Sequence, residues 1–216
     1  MKAKKGFTLI ELAMVLVIIG LLLGMVLKGQ ELINSAKVKN MAADFKNVQV
    51  YIYAYQDRFR ALPGDHRSAA DLIPGAQNGA GGTLGNGKIE GVWNAAGNPA
   101  ASESEVFWQH VRLAGIATGS TNLNDAQYYP ANADGGIIGI ESVTGFSGPA
   151  GLPGAFAVCS AAVSGRLARQ LDITLDDGAT DRGAFRVYAD GGADWLPSSG
   201  ERAVEDAMLY NVCMAF

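Results

Sequence analysis

Residues 7–27 read FTLIELAMVLVIIGLLLGMVL, and this run decides the architecture. Its 21 residues are apolar throughout except at Thr8 and Glu11. Wound as a helix, such a run rises by roughly 30 Å, the thickness of a bilayer's hydrocarbon core. Lys2, Lys4 and Lys5 precede it. Positive residues stay on the cytoplasmic side, so everything after Leu27 is expected outside. A secretory signal would have a shorter apolar region closing on a small-residue cleavage site, and no A-x-A site closes this one.

Working outward, the helical pattern continues past Leu27. Met41, Phe45, Val48, Ile52, Tyr55 and Phe59 recur at steps of three and four, which places them on one helix face. Lys37, Lys39, Asp44, Lys46, Asp57 and Arg58 occupy most of the rest of the surface. No proline interrupts the chain from Phe7 to Leu62, and Ala61-Leu62-Pro63-Gly64 is a strong breaker. The pattern predicts one very long helix, apolar all round in its first half and amphipathic in its second.

Glu11 is the exception inside the apolar half. A charge at the centre of a membrane helix costs about 2.5–3.5 kcal/mol on insertion scales, and less near an end. A carboxylate that only snorkels to the headgroups fits the position. So does one that meets a cationic partner. A cut between Gly6 and Phe7 would create such a partner, an α-amino group four residues from Glu11, about one helical turn away.

Composition narrows the function classes. The chain has 216 residues and a formal net charge of −4, a length that suits one ordinary core. No long Lys/Arg stripe marks a nucleic-acid binder. Two cysteines and two histidines exclude a four-cysteine zinc site. The 28 glycines predict a loop-rich body.

Lys4-Lys5-Gly6, then Phe7-Thr8-Leu9-Ile10-Glu11, then the apolar run, resembles the leader and N-terminal helix of type IV pilins and of the related type II secretion pseudopilins. In that family a membrane-embedded peptidase cuts after the glycine and N-methylates the new terminal residue. The resemblance implies that Gly6 ends the leader, that Phe7 is the methylated first residue, and that Glu11 pairs with the Phe7 amine of a neighbouring subunit during assembly. It further implies a prepilin peptidase and an inner-membrane assembly platform as partners, and a homopolymer or a mixed filament with other pilins. The precursor would sit in the inner membrane with its body outside the cytoplasm, later in a surface pilus or a periplasmic pseudopilus. Many pilins carry a proline further along this helix; here Gly20, Gly24 and Gly29 stand instead. Gly20 and Gly24 fit the small-xxx-small spacing that lets helices approach closely, and equally fit tolerated glycines in an apolar helix.

The body begins at Leu62. Residues 63–101, rich in Gly, Asn, Ala and Pro, read as a long structured loop. Ser102-Glu103-Ser104-Glu105 is a capping box, and its helix should bury Phe107, Trp108 and Val111 and stop at Gly115. Residues 136–143, 155–163, 184–189 and 206–216 are strand candidates, and 164–171 a short helix between two of them. The expected fold is α+β and pilin-like: a long N-terminal helix packed on a C-terminal antiparallel sheet with Gly-rich loops. The expected division is a leader (1–6), a membrane or filament-core half (7–27), an amphipathic half (28–61) and a globular body (62–216). Leu62-Pro63-Gly64-Asp65, residues 85–89 and residues 171–178 look similar to pieces of a broad group of prepilin-type proteins.

Other motifs offer little chemistry. Residues 82–89 nearly match a P-loop, but Ile89 stands where magnesium needs Ser or Thr, and no strand precedes the glycines. Gly145, Gly148, Gly151 and Gly154 recur every third residue, a run too short for a triple helix. Ser147 does not lie in a nucleophile elbow, and His66 and His110 lack a partner by motif. Asp172, Asp176, Asp177 and Asp181 form the one dense acidic cluster. They read as solvated turns, with calcium the alternative, because Asp-Gly pairs form turns and the spacing is not an EF-hand. No catalytic residue, metal or cofactor is expected.

A body outside the cytoplasm oxidises its thiols, and only Cys159 and Cys213 are available. Both lie in apolar strand candidates, where paired strands bring side chains within disulfide reach. Pilins, which the chain resembles, often close a C-terminal loop in this way. The reading is a structural, non-enzymatic filament subunit. A pseudopilin is the nearest alternative, and a membrane-anchored periplasmic enzyme or binding protein a more distant one.

Overall fold

The computed structural model describes residues 8–95, 101–200 and 203–216. Among them, four helices and four strands follow in the order α1 (Leu9–Phe59), α2 (Ala69–Leu72), α3 (Glu103–Leu113), β1 (Ile138–Ser142), β2 (Phe156–Ser164), α4 (Gly165–Leu175), β3 (Phe185–Tyr188) and β4 (Leu209–Ala215). The chain divides into two compact units, one ending at Lys37 and one covering Val38–Phe216.

In the first unit, the apolar half of α1 exposes its side chains all round, from Leu9 and Ile10 through Val26 and Leu27. Among the described residues α1 is the one helix long and apolar enough to cross a membrane, and no part of its most apolar stretch is buried within the chain. Burying a Leu or Ile side chain gains about 1.5–3 kcal/mol. So many exposed apolar side chains call for lipid or for neighbouring helices.

In the second unit the same helix turns amphipathic. Val38, Met41, Ala42, Phe45, Val48, Ile52 and Tyr55 are buried, the face that the three-four spacing selects. Phe59 is only partly buried. The helix stops two residues before the Ala61–Gly64 breaker, because Arg60 adopts a left-handed conformation (φ 54°) that ends the helical ladder. Phe45 meets Phe185 of β3 edge-on, with ring centroids 5.7 Å apart.

The sheet is antiparallel throughout, in the order β1-β2-β4-β3. Side chains alternate across it, as a strand requires. Val158 of β2 and Val212 and Met214 of β4 belong to the main core with α1. Ala157, Cys159, Cys213 and Ala215 point the other way, into a smaller core closed by Trp93, Leu152 and Tyr188. Gly-rich loops therefore cover the second face. Gly139 in β1 shows how closely they do so: a Cβ there would lie 1.9 Å from the Trp93 carbonyl oxygen.

The α+β layout is the expected one. Ser102 and Glu105 form the capping box of α3, and Phe107, Trp108 and Val111 are buried. The helix expected at 164–171 runs on to Leu175, and the final strand is shorter than 206–216, beginning at Leu209.

Candidate functional site

The chemistry-bearing end of α1 is built from Thr8 and Glu11. Thr8 is the residue before the helix, and Glu11 lies in its first turn. The Thr8 N–H donates to Glu11 Oε2 at 2.8 Å, and the Thr8 hydroxyl donates to the same oxygen at 2.8 Å. The Glu11 N–H donates in return to Thr8 Oγ1 at 3.3 Å. This reciprocal pair is a capping box, which satisfies backbone donors that a helix N-terminus leaves unpaired. The T-x-x-E spacing in the sequence is its local signal. Glu11 thus has an intrachain role, apart from snorkelling or meeting a cationic partner. Gly6 and Phe7 lie outside the described residues.

Cys159 and Cys213 stand directly opposite each other in the β2–β4 register and are joined by a disulfide, with Cα atoms 4.1 Å apart. Both are fully buried.

The glycine loop that imitates a P-loop has a different use. Backbone N–H groups of Gly85, Asn86 (3.2 Å) and Gly87 (2.7 Å) all donate to the Asp65 carboxylate. Amides that would cradle a phosphate already hold an internal anion.

Both histidines are structural. His66 Nδ1 hydrogen-bonds the Tyr55 hydroxyl at 2.8 Å. The Gly64 N–H donates to His110 Nδ1 at 3.0 Å, which makes Nε2 the protonated nitrogen that donates to the Gln77 carbonyl at 2.7 Å. Burial pushes His110 down to about 4. Ser147 donates to Glu141 through its N–H (2.9 Å) and its hydroxyl (2.6 Å). Burial nevertheless pushes Glu141 up to about 7.

The acidic cluster departs from the solvated turns expected of it. Asp176 and Asp177 are exposed, but Asp172 sits in the last turn of α4 and is fully buried. Burial, reinforced by Asp176, Asp177 and Asp181, raises Asp172 to about 7, against a lowering by the Gly178 N–H. Long-range packing decided that burial, and a local reading of Asp-Gly pairs did not contain it.

Residues 1–27 match the family model described as the prokaryotic N-terminal methylation motif. The chain carries the type IV pilin and pseudopilin signature. No match is found among curated proteins or among solved structures. The pilin signature covers the residues before α1 and the apolar half of that helix, and residues 28–216 lie beyond it. It fits a membrane-anchored precursor of pilin-like or pseudopilin type.

Proposed function

We propose that this chain is a structural subunit of a type IV pilus-like filament, with no catalytic activity. A prepilin peptidase cuts between Gly6 and Phe7 and methylates the Phe7 amine. The mature subunit then leaves the inner membrane through an assembly platform and polymerises by its N-terminal helix, alone or with other pilins. In this reading residues 1–6 are the leader, 7–27 the membrane and filament-core half, 28–61 the amphipathic half and 62–216 the extracytoplasmic body. One observation carries the reading: the methylation signature sits on the end of a helix whose apolar surface finds no cover within its own chain. A bundle of such helices in a filament supplies that cover. Glu11 then serves twice, capping its own helix and meeting the Phe7 amine of a neighbour.

Intact-mass analysis of the membrane-extracted protein tests the reading. A mature chain beginning at methylated Phe7 is expected, and a Gly6→Leu variant should stay uncut in the membrane. A wild-type mass that retains residues 1–6 would overturn it. Filaments outside the cell would mark a pilin. Loss of protein secretion on deletion, without such filaments, would mark a pseudopilin.

A further inference from the structure

We propose that Asp172, Asp176 and Asp177 form a binding site for a calcium-class divalent cation at the C-terminal end of α4. The inference does not depend on the filament reading. Its first support is an under-satisfied buried carboxylate: Asp172 is fully buried, and among the described residues neither of its side-chain oxygens has a hydrogen-bond partner of normal geometry, the Gly178 N–H acting on it only weakly. Leaving a buried charged group unpaired costs far more than any surface carboxylate, and such groups are paired or bind metal.

The second support is geometry. One carboxylate oxygen from each of Asp172, Asp176 and Asp177 lies within 4.8 Å of the other two. Calcium binds oxygen at about 2.3–2.6 Å, so two ligands of one ion can stand up to roughly 5.2 Å apart, and the three carboxylates fall inside that limit. Magnesium demands near-ideal octahedral geometry at about 2.0–2.1 Å and gives up its waters reluctantly, so three carboxylates on a helix end and an irregular turn suit calcium better. Asp176 is held in place for this role. Its Oδ2 accepts the N–H groups of Ala184 (2.5 Å) and Phe185 (3.0 Å) at the start of β3. Gly183 permits that approach, since a Cβ there would fall 2.0 Å from Asp176 Oδ2. Asp177 accepts from the Ala179 N–H at 2.9 Å and from Arg182 at 3.2 Å.

The third support is the local field. A helix C-terminus carries the negative end of the macrodipole and favours cations. The last turn of α4 contains no basic residue, yet it presents Asp172 and is followed by Asp176 and Asp177. Arg182 is exposed and pairs with Asp177, and among the described residues no ion pair reaches Asp172. One divalent ion would satisfy Asp172, offset the mutual repulsion and meet the helix end.

The test uses the full-length chain in detergent micelles, stripped with chelator and titrated with calcium chloride by calorimetry and thermal melting. One ion per chain is expected. The melting temperature should rise by about 5 °C once calcium exceeds its dissociation constant a hundredfold. Magnesium should act more weakly. Asp172→Asn should abolish both responses, and its calcium-free melting temperature should exceed that of calcium-free wild type. Asp177→Asn alters an exposed side chain, so folding is not in question, and it should weaken binding about tenfold or more. The exposed Asp71→Asn control should respond like wild type. Three results would each overturn the proposal: no heat and no melting shift at millimolar calcium, an undiminished response in both cluster variants, or equal responses to magnesium and calcium.

Discussion

Thr8 and Glu11 exchange hydrogen bonds in both directions across the first turn of α1. This gives the acidic residue of the apolar run a task inside its own chain, separable from any task between chains. Glu11→Gln keeps an oxygen acceptor for the Thr8 N–H but removes the charge. Thr8→Ala removes the hydroxyl, at a cost near 1 kcal/mol of helix-end stability, and keeps the charge. If the pairing with the Phe7 amine of a neighbour drives assembly, Glu11→Gln should be cleaved and stable yet yield few filaments, while Thr8→Ala assembles. Sheared-filament yield at native expression measures both. The reverse pattern would make capping the dominant role.

The bond between Cys159 and Cys213 closes a loop of 54 positions. Chain-entropy reasoning gives it about 4 kcal/mol, acting through the unfolded state. Cys213→Ser should lower the melting temperature of the detergent-solubilised protein and leave the cleavage proposed at Gly6–Phe7 unchanged. Alkylation of unreduced, denatured wild type should modify neither cysteine. Two modified cysteines would refute the bridge.

Stability should fall as pH rises across the weakly acidic range. Burial raises Glu103 and Glu141 from an ordinary 4.5 to about 7. Between those values the folded chain holds more protons than the unfolded one, so raising the pH through the window destabilises it. His110 acts in the opposite sense. Lowered from 6.5 to about 4, it loses stability as pH falls through that interval. Asp172, raised in the same way, joins Glu103 and Glu141, and these three carboxylates outweigh His110 and the likewise lowered His66, so chelator-treated protein should melt higher at pH 5 than at pH 7.5. Glu141→Gln should flatten the slope. A steeper slope in that variant would contradict the assignment.

Gly139→Ala should destabilise the body without touching the membrane half. The added Cβ would collide with the Trp93 carbonyl and force β1 away from the loop that covers it. Overpacking of this kind costs about 1–3 kcal/mol. Gly20→Ala is the contrast. Nothing lies within 4 Å of a Cβ at Gly20, so thermal melting should register Gly139→Ala alone.

Periodic signals were legible in the chain, and solitary ones were not. The spacing from Met41 to Tyr55 names the buried face of α1 because a helix repeats it several times over. Ser102 and Glu105 announce α3 because a cap is local. The burial of Asp172, Glu103 and Glu141 is not local: residues far off in the chain close over them, and nothing beside them in sequence records it. Asp65 is the same kind of case, since its partners Gly85, Asn86 and Gly87 lie some twenty positions on. Gly6 and Phe7 stand out by motif, a local signal, and the pilin signature spans them.

The strand order also sets a sequence of events. β4 comes last in chain order, yet it fills the interior slot between β2 and β3. Until it arrives, β2 and β3 each present an open edge that invites pairing with other chains. Cys159 meanwhile waits as a thiol for a partner 54 positions downstream. A chain emerging through a membrane, N-terminal end anchored, would therefore stay unfinished for most of its passage. Its vulnerable interval ends only when β4 slots in and the bond locks it there, so oxidation of Cys159 to Cys213 timestamps completion of the body.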